Sequence, residues 1–545
     1  MNENNTSPEK YTNPQYLSYI KKESLRKRDY SFAEMIFAWI CFFMGYLFCR
    51  VFPVVLSPLG GFLFVIALFA VTAVFLKLKK VRFGVMPCVM AAVAIAFSAS
   101  LILSSNSFLY WLAYVFALAT YCAFVYRVCG NSVRDGFSGF IAADYFNAVF
   151  SAPFASVQCA WKAAFSGEAA GKLKKTLIKI LCGIAVAVIP TAIVGGLLSY
   201  DDGFNKIMGK IFDFDMGTIF GHIGSMLIGF LVGMYLFGLY VSSVDKYTQG
   251  ALTEEILSEK LKKMRIAHVL TVAVASVPLL FVYVVFFISQ WQYYVSGFTG
   301  VLPEEFSYAE YAREGFFQLC AVAFINLAVI IIIGLLAKRR EENTPVLIKI
   351  ITVVFSLFTL VLISTAISKM AMYIGSYGLT QKRVYSTCMM VVLAVVFVLI
   401  ILKQFIPKIA VAAFSLAASV LLFAVLSLGN IDAVIAGYNV DRYIDGSLPT
   451  VDIEAMDDLG DAAIPELVRL ANYMDEKNGT DISKVSYETR PEGMYGELAV
   501  CLRDKADDIV DDKKEIKGNI IKEFFAFNVP AKKAEKALIE IGYLF

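Results

Sequence analysis

The sequence predicts an all-α polytopic integral membrane protein with about 11 transmembrane helices and a small helical, soluble C-terminal domain. Hydrophobic residues make up 58% of the 545 residues and charged residues only 17%. The mean hydropathy is +0.67, which lies outside the range of ordinary soluble proteins. Apolar runs of about 20 residues recur between short charged loops, as transmembrane helices require. These runs are too long for barrel strands, which alternate over about 10 residues.

The first 30 residues form a polar and then basic tail, and the first apolar run begins at Ser31. A signal peptide would have a short charged segment, a short apolar core and a small-residue cleavage site, and this tail has a different order. We therefore expect the first apolar run to be retained. The basic tail is expected to stay in the cytoplasm.

The multipass domain is predicted over residues 31–429. Its expected spans are 31–52, 58–76, 86–103, 108–126, 177–198, 218–243, 268–290, 315–336, 346–367, 386–402 and 409–428. Lys and Arg accumulate in cytoplasmic loops, and the basic clusters near Lys77, Lys172, Lys260, Lys338 and Lys403 all fall on one side under this count. The sequence therefore predicts a cytoplasmic N-terminus and an extracytoplasmic C-terminal domain.

Residues 139–165 are moderately apolar but contain polar side chains and a mid-run proline, Pro153. Basic residues flank the segment on both sides, so a full crossing would place one basic cluster outside. We predict an interfacial or re-entrant segment on the cytoplasmic surface, and a crossing is the alternative.

Residues 430–545 are predicted to form an acidic, mainly helical domain. The spacing of Leu467, Val468, Leu470 and Ala471 predicts a helix with Pro465 in its first turn, where a missing N–H costs nothing. Further helices are expected over 519–526 and 531–543. Residues 452–472 resemble one helix-turn-helix unit of a repeat protein, too little for a solenoid.

Three stretches rich in charged and aromatic residues follow the ends of predicted spans, and we expect them to share the outer face. The first, 306–318, has a Ser-x-x-Glu pattern that fits a helix cap, and its tyrosines fit an interfacial aromatic belt. The functional alternative is an acid, a base or a cation ligand beside an anion-binding arginine. Its candidate residues are Tyr308, Glu310, Arg313 and Glu314.

The second stretch, 376–385, carries basic residues on the outer side, against the usual sorting of positive charge. Such an exception suggests a partner, either Glu310, Glu314 or Asp432, or an anionic lipid or lipid-linked phosphate. The candidates, including a lysine that precedes the stretch, are Lys369, Tyr377, Thr380, Gln381, Arg383 and Tyr385. Arg313 and Glu314 are expected to face Lys382 and Arg383.

The third stretch, 430–443, ends the last apolar run. A helix stop and a linker to the C-terminal domain explain it structurally, and an outer-face site is the alternative. The candidates are Asn430, Asp432, Asn439, Arg442 and Tyr443. Within the bilayer, Gln318 and Asn326 are eight residues apart, and we expect them to share a helix face that packs against other helices.

Motifs for better-defined chemistry are not found. The two histidines are far apart and the ten cysteines form no CxxC pair, so we expect neither a metal nor a cofactor. The basic residues are scattered between apolar runs, so nucleic-acid binding is not expected. The sequence contains no Walker A, GxSxG or HExxH pattern.

In these stretches the chain resembles an uncharacterised bacterial family of multipass membrane proteins known as domain of unknown function 4173, related to group 4153. The resemblance lies in EYAREGFFQL, YGLTQKRVY and NIDAVIAGYNVDRY, at residues 310–319, 377–385 and 430–443. It implies a bacterial inner-membrane location and no particular activity.

The sequence thus predicts a bacterial plasma-membrane protein in contact with the lipid bilayer. The first hypothesis is an outer-face site for an envelope lipid, a lipid-linked group or a small solute, in a transporter-like protein or a membrane enzyme. The alternative is a non-catalytic assembly or signalling protein that binds a protein partner through its C-terminal domain.

Overall fold

The computed structural model describes residues 29–51, 58–134, 138–166, 216–246, 253–289, 316–338, 344–485, 492–516 and 526–544, with a few single positions between them. Helices dominate these residues, and their only bridge is an isolated parallel one between Ala267 and Ala337. Ten of the described helices are long and apolar enough to cross a membrane. The predicted polytopic α-helical class is confirmed.

Ten of the eleven expected spans correspond to described helices. They are α1 (Phe32–Val51), α2 (Pro58–Leu78), α3 (Val85–Leu103), α4 (Ser107–Val128), α8 (Met216–Val244), α10 (Val269–Ser289), α11 (Phe316–Leu336), α12 (Val346–Tyr377), α13 (Gln381–Phe405) and α14 (Val411–Leu428). The shorter helices of the same region are α5 (Ile141–Phe146), α6 (Ala152–Ala155), α7 (Val157–Ala164) and α9 (Glu254–Met264). The expected span over 177–198 lies outside the described residues, apart from single positions.

The chain divides into two compact units, and α3 and α4 each contribute to both. In the first unit, α1 and α8 pack antiparallel with their backbones in contact. A Cβ atom added at Gly45 would lie 1.9 Å from the carbonyl oxygen of Gly229. Only residues without a side chain permit such an approach, which is a common way for membrane helices to associate.

The first unit also buries a cluster of hydroxyl groups. The Thr72 hydroxyl lies 2.7 Å from both the Tyr121 and the Tyr240 hydroxyls, and it donates to the carbonyl of Leu68 at 2.6 Å. Hydrogen bonds of this kind join helices where water is excluded. This cluster therefore connects α2, α4 and α8.

Residues 141–164 form short helices interrupted by a π turn at Asn147–Ser151. The Tyr235 hydroxyl on α8 donates to the carbonyl of Val149 at 2.8 Å, and the Trp161 ring lies edge-on to Phe230 with 5.6 Å between centroids. This part of the segment thus packs along α8. Its position in the membrane stays a prediction.

In the second unit, α10 to α13 share an apolar core, and Asn326 is fully buried within it. Its side-chain oxygen accepts from the Tyr283 hydroxyl at 2.5 Å, and its nitrogen donates to Thr359 at 2.8 Å. The expected packing role of Asn326 is confirmed. The expectation for Gln318 was wrong, because its side chain is exposed; eight residues advance a helix by about 80° beyond two turns.

Two predicted span ends were wrong. Helix α12 continues for ten residues beyond 367 to Tyr377, and α13 begins at Gln381 instead of 386. At 1.5 Å per residue, the 32 residues of α12 span about 48 Å, compared with about 30 Å for the bilayer core. Lys369 and Tyr377 therefore belong to the helix, and the connection to α13 is a three-residue turn.

The helices after Asn430 have their own apolar core. They are α15 (Ile431–Ile444), α16 (Ile453–Asp457), α17 (Ile464–Asn478), α18 (Met494–Ile516) and α19 (Val529–Glu540). Leu467, Val468, Leu470 and Ala471 are buried in α17, as expected. The last helix begins slightly earlier and ends earlier than predicted, and the helix expected over 519–526 lies almost entirely outside the described residues.

Candidate functional site

The structure describes two of the three candidate stretches. Tyr308, Glu310, Arg313 and Glu314 lie outside the described residues, and so does their expected contact with Lys382 and Arg383. The second stretch forms the end of α12, the turn 378–380 and the first turns of α13. The third forms the start and body of α15. These two stretches lie against each other in one compact unit.

The closest link between the two stretches is made by Asn439. Its side-chain oxygen accepts from the backbone N–H of Leu379 at 2.7 Å, and its side-chain nitrogen donates to the carbonyl of the same residue at 2.8 Å. An asparagine side chain can thus satisfy both polar groups of one peptide residue. Gly378, at φ +74°, brings the backbone close enough for this pairing.

Two arginines hold the end of α12. Arg383 donates to the carbonyls of Tyr377 and Gly378, and its guanidinium lies 4.1 Å from the centre of the Tyr373 ring. Arg442 donates to the carbonyl of Ile374 at 3.1 Å. The last carbonyls of a helix have no intrahelical partner, and cations near them are favourable. We therefore describe Arg383, Asn439 and Arg442 together as the backbone clamp.

The clamp changes the interpretation of the outer basic residues. Arg383 was expected to pair with Glu310, Glu314 or Asp432, or with an anionic ligand. Its described contacts are instead the helix-end carbonyls and an aromatic ring. Lys369 is buried near the end of α12, with 7% of its surface exposed.

Asp432 is at the centre of a second polar group. Its side chain is fully buried, and its Oδ1 atom accepts from the Gln381 amide at 2.9 Å and from the Asn106 amide at 3.5 Å. The Asn106 amide also donates to the Tyr385 hydroxyl at 2.8 Å. The Oδ2 atom of Asp432 has no hydrogen-bond partner among the described residues. We call Asn106, Gln381, Tyr385 and Asp432 the polar junction.

Burial determines the electrostatics of the junction. It raises the pKa of Asp432 above its ordinary value, while the hydrogen bonds from Gln381 and Asn106 partly offset this effect. A buried carboxylate without a countercharge is costly, so the neutral form is favoured. Among the described residues, no ion pair to Asp432 is found.

Asn106 was missed by the sequence prediction. It caps α4, because its side-chain oxygen accepts from the backbone N–H of Leu109 at 2.9 Å. Residues 104–107 lie between the predicted spans 86–103 and 108–126, and no role was predicted for Asn106. An asparagine directly before a helix was the available signal for a cap.

The C-terminal domain also forms hydrogen bonds with the segment around residues 104–106. Asn528 donates to the carbonyls of Leu101 and Ser104 at 3.3 Å and 3.0 Å, and Ser105 donates to the carbonyl of Leu459 at 3.4 Å. The Asn528 side chain and the Leu459 carbonyl, from distant parts of the chain, thus bind polar groups at this turn. The domain is docked on the membrane part of its own unit.

The remaining candidates have structural positions. Asn430 adopts the left-handed conformation just before α15, and its side-chain oxygen is buried without a hydrogen-bond partner among the described residues. Thr380 precedes α13 without making a side-chain cap. Tyr443 packs against the core of the C-terminal domain, edge-on to Tyr473.

The described residues contain no group of three or more His, Cys, Asp or Glu side chains that could hold a metal ion. The nine described cysteines are free thiols. The arrangement offers hydrogen-bonding amides, a phenol and one buried carboxyl group.

The fold and these contacts define a multipass α-helical membrane protein with a docked helical C-terminal domain. The chain belongs to the family described as Domain of unknown function (DUF4153), whose model matches residues 91–470. This supports the related group 4153 and does not confirm group 4173. Comparison with curated proteins found no match, and neither did comparison with solved structures.

Proposed function

We propose that the protein is a non-catalytic signalling or assembly protein of the bacterial plasma membrane, in which a C-terminal domain on the outer face is coupled to the membrane helices. The backbone clamp is the observation that carries this proposal. Its three polar side chains, Arg383, Asn439 and Arg442, bind backbone groups at and just after the end of α12. Side chains engaged in this way connect two elements and are poorly placed for catalysis.

The contacts around 104–106 support the proposed orientation. Three candidate spans, α1 to α3, separate the N-terminal tail from this turn. The turn contacts Leu459 and Asn528, which supports a C-terminal domain on the face opposite the N-terminus. The basic loop 77–82 follows α2 and favours the cytoplasm for the N-terminal side.

The same reasoning supports an eleventh span. Asn131 donates to the carbonyl of Ser243 at 2.7 Å, and Arg134 lies 3.5 Å from Glu254, so the end of α4 and the end of α8 belong on one face. Helix α8 then begins on the opposite face. This arrangement agrees with one crossing between Arg134 and α8, which the predicted span 177–198 would supply.

A site for a ligand is the second candidate function, and the unpartnered Oδ2 atom of Asp432 favours it. A buried carboxyl oxygen without a hydrogen bond suits a ligand that has donor groups. The ligand would be a small solute or a lipid-linked group with such donors. Arg383, the expected anion-binding group, is engaged by backbone carbonyls, so an anionic headgroup is less well supported.

Orientation is tested by labelling single cysteines in intact cells. A cysteine at Ser447 should react with an impermeant maleimide, and one at Lys260 should react only after permeabilisation. Labelling of position 447 from the inside alone would contradict the outer C-terminal domain.

Coupling is tested by complementation of the envelope phenotype of a strain that lacks the gene. Asn439→Ala and Arg442→Gln should fail to complement, because both weaken the hold on α12. Lys484→Gln removes only an exposed ion pair with Asp481 in the same domain and should complement normally. Full activity of the clamp variants, with loss in Asp432→Ala alone, would contradict the coupling role and favour the ligand site.

A further inference from the structure

The polar junction contains a carboxyl group that is only half satisfied. Two amide donors converge on the Oδ1 atom of Asp432, and its Oδ2 atom has no hydrogen bond from any described residue. The side chain is fully buried. Native structures seldom leave a buried polar atom without a partner, and a buried charge without one is costlier than a buried neutral group.

The surroundings of Asp432 show which group fits. From α13, Gln381 and the Tyr385 phenol face it, and from the turn before α4, Asn106 does. Of the charged groups on the contacting segments, Lys382 and the carboxylate of Asp458 are exposed, and Arg383 donates to the carbonyls of Tyr377 and Gly378. No described Lys or Arg lies within ion-pair distance. A full negative charge would therefore be buried without a countercharge, which is unfavourable.

Protonation of Asp432 removes the cost of the buried charge, and a proton needs less space than any other ligand. A proton on Oδ2 neutralises the charge and leaves Oδ1 as a carbonyl-type acceptor for both amides. A larger cation would need further oxygen ligands, whereas Asn106 and Gln381 present N–H donors to the carboxyl group. Burial also raises the pKa of this carboxyl group, in agreement with the geometry.

We propose that Asp432 is a proton-binding site, and that its protonation by solvent protons locks the C-terminal domain onto α13 and the 104–106 turn. The bond formed is O–H on Oδ2, and deprotonation returns the proton to solvent. This inference rests on the proposed coupling function and adds its regulation. Acidification of the outer side would stabilise the docked domain, and higher pH would weaken the docking.

The sign follows from linkage. The undocked side chain has the ordinary pKa of an aspartic acid, and the docked one has a higher pKa. The docked state then binds more protons between the two values, so the free energy of docking becomes less favourable as pH rises through that window. Below the ordinary pKa both states are protonated and the docking strength is constant.

The test is an infrared pH titration of the full chain in lipid nanodiscs. The wild type should show a protonated-carboxyl C=O band that disappears with rising pH. This component should be missing in Asp432→Asn and retained in Asp458→Asn, which changes an exposed neighbouring carboxylate. A difference spectrum of the wild type minus Asp432→Asn that lacks this band would overturn the proposal, because other partly buried carboxyl groups with a raised pKa, such as that of Asp461, contribute bands of their own.

Two further measurements protect the test against a misfolded variant. Gln381→Ala removes a hydrogen bond that lowers the pKa of Asp432, so its band should disappear at a higher pH than in the wild type. A shift to lower pH, or none, would contradict the site. Hydrogen exchange of residues 105–109, corrected for intrinsic rates, should slow on acidification in the wild type and be slow at every pH in Asp432→Asn. Equal pH dependence in both proteins would overturn the locking role.

Failure of the proposed coupling can be recognised separately. Clamp variants that complement normally, together with a band that depends on Asp432, would leave a proton site without a coupling function. Loss of complementation in the clamp variants without such a band would support the coupling function and contradict the proton-binding site.

Discussion

Gly378→Ala should disrupt the joint between the membrane helices and the C-terminal domain. Gly378 has φ +74° and ψ −175°, a region that only glycine adopts without strain. A Cβ atom there would lie 2.4 Å from the side-chain oxygen of Asn439, so this side chain must move. The substitution therefore strains the backbone and breaks the pairing of Asn439 with Leu379.

The two effects can be estimated. A non-glycine residue in such a conformation costs about 1 to 3 kcal/mol. Loss of the two hydrogen bonds of Asn439 adds about 1 kcal/mol each. The opening free energy of the joint should thus fall by roughly 3 to 5 kcal/mol, or by less where the joint relaxes.

The assay is hydrogen exchange of the Leu379 backbone amide, which donates to Asn439. Each 1.4 kcal/mol is about tenfold in protection, so a loss of about 3 kcal/mol corresponds to roughly a hundredfold. Gly479→Ala is the control: φ is also positive at +65°, but a Cβ atom would have nothing within 4 Å. It should cost about 1 kcal/mol and leave the Leu379 amide protected. Equal protection of Leu379 in both variants would refute the reasoning.

Other parts of the chain give further predictions. Asn326→Ala should lower thermal stability by about 1 kcal/mol in lipid, because it removes interhelical hydrogen bonds, and an unchanged unfolding midpoint would contradict this role. Gly45→Leu should greatly reduce the amount of folded protein, because the backbone of Gly229 occupies the space. Gly221→Leu should be tolerated, since a Cβ atom there meets nothing within 4 Å; equal yields would contradict the packing. Burial raises the pKa of Cys501 to about 12, so iodoacetamide near neutral pH should modify it only after unfolding, and rapid native-state modification would contradict its burial.

The membrane part of the fold could be predicted well because apolar run length is a direct consequence of bilayer thickness. The end of α12 and the start of α13 were missed because bilayer thickness does not determine where a helix ends outside the hydrocarbon. Residues 368–377 are mixed in polarity, and hydropathy does not distinguish a helix that projects beyond the hydrocarbon from a loop. Helical geometry continues there because the backbone clamp satisfies the end of α12.

The contact between two of the three candidate stretches could be predicted, but the roles of their side chains could not. The sequence indicated that 376–385 and 430–443 share one face, and the structure brings them together. Arg383 and Arg442 appeared suited to anions, yet a basic residue near a helix end serves equally to hold carbonyls. Residue type alone cannot separate these two uses. Asn106 could not be connected with Asp432 by sequence, because more than 300 residues lie between them.

The measurement that tests the central claim most directly is a disulfide between the 104–106 turn and the C-terminal domain. A Cβ atom at Gly460 would lie 3.8 Å from the Ser105 hydroxyl oxygen, so side chains at these two positions would be in contact. The double variant Ser105→Cys, Gly460→Cys should therefore form an intramolecular disulfide in membranes under mild oxidation, and neither single variant should. Absence of this disulfide in the correctly inserted double variant would contradict the docked C-terminal domain.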